Sequence, residues 1–198
     1  MGSFSSKTDT VLRNNIEDGV VIYDSLAFVP KNGPKNSLNI VSNSNTPLTR
    51  LFEEKSKFDE TTLETVKQYL IDGADPNLPA IDEGGKVLLS PLYLCCRNGF
   101  TPSAVMIAEI LLQNGAEVEP HYTAVTNYSP LIIVLSKNKT KTAIDMVRLL
   151  LKYGADTKFV CANDTVFSVL ERDQPEENKK IIREMILEHN AKLQQKVI

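Results

Sequence analysis

The sequence predicts an all-α fold, a solenoid of helix-turn-helix units joined by hairpin loops, and three observations carry that prediction. A phrase ending in glycine, alanine and an acid recurs: YLIDGAD from Tyr69, LLQNGAE from Leu111 and LLKYGAD from Leu150. Upstream of each lies a second recurring phrase in which a hydroxyl residue precedes proline: TPLTRLF from Thr46, SPLYLCC from Ser90 and SPLIIVL from Ser129. Aromatic residues make up only 7% of the 198-residue chain and Trp is absent, so the core must come from Leu, Ile, Val and Ala, side chains that pack well between helices.

Each unit begins with a helix start. The hydroxyl of Thr46, Ser90 or Ser129 can accept a bond from a free backbone N–H, and proline at the first helical position forfeits a donor that had no partner there. TVFSVL from Thr165 is a fourth copy with Val166 in the proline place. Each unit closes on Gly73, Gly115 or Gly154, spaced by 42 and then 39 residues, where glycine takes the left-handed conformation that stops a helix. ILEHNAK from Ile186 is the weaker fourth closing phrase, with Asn190 in the glycine place 36 residues after Gly154. Three residues before these positions stand Leu70, Leu112, Leu151 and Leu187, and four before stand Tyr69, Leu111, Leu150 and Ile186, which predicts one buried stripe on four helices.

From Pro47 to Gly73 there are 26 residues, and from Pro91 to Gly115 and from Pro130 to Gly154 there are 24 each, room for two short helices and a turn. The units run over about 39–77, 78–119, 120–157 and 158–192. The last carries the charged stretch ERDQPEENKK and reads as a cap, because an end unit has one side without a neighbour. Residues 1–38 form an N-terminal segment, a degenerate repeat or cap, and 193–198 a tail.

Taken together, the Thr-Pro-Leu start, the Leu-Leu run and the Gly-Ala-Asp ending resemble ankyrin repeats over residues 39–192. The sequence departs from that pattern at Thr49, Tyr93 and Ile132, where histidine is usual, and every unit exceeds the customary ~33 residues. The extra length lies mainly between paired helices, in EKSKFDETT, GFTPSA and NKTKT, read as polar insertions. The loop containing Glu83-Gly84-Gly85 reads as a hairpin tip.

What the resemblance implies is binding of another protein, as an adaptor, inhibitor or regulatory subunit. It places Glu53, Glu54, Arg97, Asn98 and Lys137 on the concave face, and Val87, Leu89, Thr126 and Tyr128 in the hairpin segments that would meet a partner. Arg97 and Tyr128 stand out, because Arg and Tyr bury large area while keeping a polar end.

Other chemistry is weakly represented. A second reading makes Cys95 or Cys96 a nucleophile with His121 as base, but packing is the far stronger reading, since in the resemblance both occupy the place of paired small residues that end a first helix. Two distant histidines, His121 and His189, offer no zinc spacing, and no glycine-rich phosphate loop follows a strand, so neither metal nor cofactor is expected. The net charge of −3, with basic residues scattered among acids, argues against nucleic acid. No apolar run reaches the length of a bilayer span, the first residues lack the order of a signal peptide, and three cysteines make a poor disulfide framework. The expectation is a monomer in the cytoplasm, with the nucleus, or the interior of a host cell for a pathogen or viral effector, as alternatives.

Overall fold

All four hydroxyl residues predicted to open helices do so in the computed structural model, which describes residues 16–17, 20–21, 45–55, 57–81, 88–119, 129–161 and 163–195. Thr46, Ser90, Ser129 and Thr165 each accept a bond from the backbone N–H three residues on, at 3.0 to 3.2 Å. They open α1 (Pro47–Glu54), α3 (Pro91–Asn98), α5 (Pro130–Lys137) and α7 (Val166–Asp173), all 8 residues long. Thr49, in the place where histidine would be usual, returns a bond by accepting from the Thr46 N–H at 2.8 Å, and Ser168 does the same for Thr165.

Each of these helices is followed by a second: α2 (Glu60–Ile71), α4 (Pro102–Gln113), α6 (Thr142–Lys152) and α8 (Glu176–Gln195). The insertion before α2 is not merely polar. Its Phe58 turns inward and packs on Phe52 with ring centroids 5.4 Å apart, while Asp59 caps α2 by accepting from the Thr62 N–H at 2.9 Å. In the turn before α4, Gly99 allows a close approach: a Cβ there would lie 2.5 Å from both the Cys95 carbonyl oxygen and the Ala104 Cβ.

The closing glycines behave as their positions require. Gly73, Gly115 and Gly154 have φ of 89°, 90° and 90°. The next residue's N–H returns to the carbonyl five residues back, Ala74 to Tyr69, Ala116 to Leu111 and Ala155 to Leu150, at 2.8 to 3.0 Å. These bonds satisfy helix-end carbonyls that would otherwise be orphaned.

Asn190 does not close the fourth unit. Helix α8 runs through it to Gln195, taking in part of the expected tail, because Ala191, Lys192, Leu193, Gln194 and Gln195 all favour helix. The Asn190 side chain instead accepts from the Thr157 hydroxyl at 2.6 Å. Leu187 also departs from the expected stripe and is 53% exposed, whereas Leu112 and Leu151 are 5% exposed.

The helices form two rows. In one, α1 packs on α3, α3 on α5 and α5 on α7; in the other, α2 packs on α4, α4 on α6 and α6 on α8, and within each unit the first helix packs on the second. Their inward faces share one continuous apolar core, including Phe52, Leu63, Leu92, Leu111, Leu131, Leu150 and Ile186. Short antiparallel strands lie between units: β3 (Ala80–Ile81) pairs with β4 (Leu88–Leu89), and β5 (Val160–Cys161) with β6 (Asp164–Thr165). A further pair, β1 (Ile16–Glu17) with β2 (Val20–Val21), lies in the N-terminal segment. The predicted tip around Gly84 lies outside the described residues.

Candidate protein-binding face

Because α1, α3, α5 and α7 have one length and one capping geometry, equivalent positions can be compared directly. Seven residues after the capping hydroxyl stand Glu53, Arg97, Ser136 and Arg172; eight after stand Glu54, Asn98, Lys137 and Asp173. Two contacts show where the first set looks. Asn45, just before Thr46, donates through its amide to Glu53 Oε2 at 2.9 Å. Asp164, just before Thr165, accepts two bonds from Arg172 at 2.6 and 3.1 Å. In both cases the residue preceding the cap touches the residue seven beyond it, so this side of the first-helix row faces the strand segments that lead into the helices.

Glu53, Arg97 and Asn98 meet across α1 and α3. The Arg97 guanidinium lies 3.6 Å from Glu53 Oε1, and its Nε donates to Asn98 Oδ1 at 3.2 Å. The Asn98 amide then donates to the Phe52 carbonyl at 2.9 Å, satisfying a free carbonyl at the end of α1 and fixing the relative position of the two helices. Arg97 and Glu53 keep 31% and 32% of their side-chain surface accessible, so the pair is organised yet reachable. A pair this exposed contributes little to stability.

Toward the other end, Lys137 is exposed and its charge reaches Asp173, whose carboxyl is held below its usual range chiefly by the Arg172 hydrogen bond and further by Lys139, Arg172 and Lys137. Glu54 is exposed at the end of α1. The face is thus a strip of mixed charge. Leu89 does not belong to it: paired opposite Ala80 in the β3–β4 ladder, it is only 6% exposed and joins the core. Val87, Thr126 and Tyr128, and with them His121, lie outside the described residues. Arg172 was missed from sequence, although counting seven from each capping hydroxyl finds it at once.

The cysteines have the opposite environment from a nucleophile. Cys95 and Cys96 are fully buried, and burial pushes both thiols up; Cys95 Sγ donates to the Ala104 carbonyl at 3.4 Å. A reactive thiol needs a depressed pKa and access. We predict that a small alkylating reagent leaves both unmodified in the native protein and modifies both after urea unfolding; fast native labelling near neutrality would assign them a chemical role. No group of three or more His, Cys, Asp or Glu side chains placed to hold a metal ion occurs among the described residues, and no helix among them is long and apolar enough to cross a membrane. Compared with known proteins, the chain matches no family model and no curated protein.

Proposed function

We propose that this chain is an ankyrin-type repeat protein that binds a partner protein along the strip formed by Glu53, Arg97, Asn98, Lys137 and Arg172, acting as an adaptor, inhibitor or regulatory subunit inside a cell. The observation that supports this reading most is a contact made at two of the four caps, between the residue before the cap and the residue seven after it, Asn45 with Glu53 and Asp164 with Arg172. It orients the first and last helices of the row alike, and Glu53, Arg97 and Arg172 on that side are engaged in hydrogen bonds or ion pairs and still accessible. Pre-ordered polar groups lower the ordering cost of association, and Arg supplies large contact area with several donors.

The test is capture of partners from lysate on immobilised protein, comparing wild type with Arg97→Ala/Lys137→Ala and with Glu184→Ala on the exposed side of α8. The expected result is a partner lost from the double variant and retained by Glu184→Ala, with unchanged thermal unfolding in both. A partner lost only from Glu184→Ala would move the binding face to the second-helix row.

A further inference from the structure

The loops that follow α2 and α4 each reach across to the loop of the next unit, and they do so from one register position, four residues after the closing glycine. After α2 that residue is Asn77. Its amide donates to the Gly115 carbonyl at 2.8 Å, and its Oδ1 accepts from the Glu117 N–H at 2.8 Å, so one side chain both donates to and accepts from the neighbouring loop. After α4 the same position is Glu119. Its Oε1 accepts from the Asp156 N–H, which is two residues past Gly154 just as Glu117 is two past Gly115, but at 3.4 Å the bond is long. Its Oε2 is buried and has no hydrogen-bond partner among the described residues.

An ionised carboxylate can only accept, so Glu119 reproduces the accepting half of the Asn77 contact and not the donating half. A protonated carboxyl has the missing donor, and Gly154 holds the register position toward Glu119 that Gly115 holds toward Asn77. We propose that the contact between the loops after α4 and α6 is a proton-gated joint, closed when Glu119 is a neutral acid and loosened when it ionises.

The surroundings agree. Burial, and then the nearby Asp156 carboxylate, push Glu119 up to about 7, against the pull of the Asp156 N–H bond in the other direction. Among the described residues the Cys96 thiol of α3 is the other titratable group near it, and burial keeps that thiol neutral. Among the described residues no cation pairs with Glu119. Its folded pKa lies above the ordinary 4.5, so the stabilisation it contributes is complete at and below that value and is lost as pH rises through about 7. After α6 the device ends: the register position is the exposed Lys158, and the joint is made by Thr157 and Asn190 instead.

The full chain, labelled for carboxyl NMR, tests this directly. Glu119 is expected to titrate well above the other glutamates, and the Asp156 amide to exchange at least about tenfold faster, after correction for intrinsic rates, at about pH 8 than at about pH 5. In Glu119→Gln, which supplies a permanent donor, that pH dependence should vanish. A Glu119 carboxyl titrating with the exposed glutamates overturns the proposal, and so does an Asp156 exchange profile that is the same in wild type and variant. The NMR titration needs only the wild type, so the test stands even where the variant folds poorly, and neither readout depends on a binding partner.

Discussion

Leu150→Ala is expected to lower the unfolding free energy by about 2 to 5 kcal/mol, the range for emptying a buried leucine site. Leu150 is fully buried on α6, a helix that packs against α4, α5 and α8, so truncation would open a cavity in the core that they share. The apolar core runs continuously through these helices, so a cavity at Leu150 interrupts the contacts that join them. The same residue's carbonyl receives the Ala155 N–H that closes the unit at Gly154, which ties the helix end to the packed stripe. Leu187→Ala provides the contrast: its side chain is 53% exposed on the last helix, and its removal should cost less than about 1 kcal/mol. Urea titrations with comparable slopes measure both. A small loss at Leu150 would mean that the apolar stripe on α6 is not the surface holding the units together.

How much could be read beforehand follows from the range of each interaction. Helix starts were legible because a cap acts over three residues, and Thr46, Ser90, Ser129 and Thr165 carry it wherever the rest of the chain lies. The endings at Gly73, Gly115 and Gly154 were legible for a similar reason: a left-handed residue is a local demand. Asn190 was misread because asparagine permits that conformation without requiring it, and the residues from Ala191 to Gln195 favour helix. Phe58 and Leu89 were misplaced because burial depends on which side of a loop or ladder the core lies, and local composition does not say. Of the candidate face, Glu53 and Arg97 were legible by position, while their meeting required two helices far apart in sequence to pack. Least legible were the polar side chains that join units, Asn77, Asn98 and Gln174, whose partners lie 36 to 46 residues away.

Gln174 shows what such a joint carries. It sits in the stretch that reads from sequence as a charged outer surface, yet it is 4% exposed. Its amide donates to the Leu135 carbonyl at 2.6 Å and the Asn138 carbonyl at 2.8 Å, at and just beyond the end of α5, and its Oε1 accepts from the Asn178 amide at 3.1 Å. Asn178, itself buried, donates onward to the Thr140 carbonyl at 3.1 Å, so two side chains of the last unit satisfy the exit of α5. Gln174→Leu keeps roughly the same volume and removes the three contacts that Gln174 makes, leaving the Leu135 and Asn138 carbonyls facing an apolar group while Asn178 keeps its bond to Thr140. At about 1 to 3 kcal/mol for each buried polar group left unsatisfied, and with partial relaxation, the expected loss is about 2 to 4 kcal/mol. Asn178→Leu should cost less, because Gln174 keeps both of its bonds to α5 and its turn, and the double variant should cost less than the sum of the two, since the Gln174–Asn178 contact is shared. Strict additivity in urea titrations would show that the two amides act separately, and the absence of a loss in either single variant would show that the last unit is held by its apolar face alone.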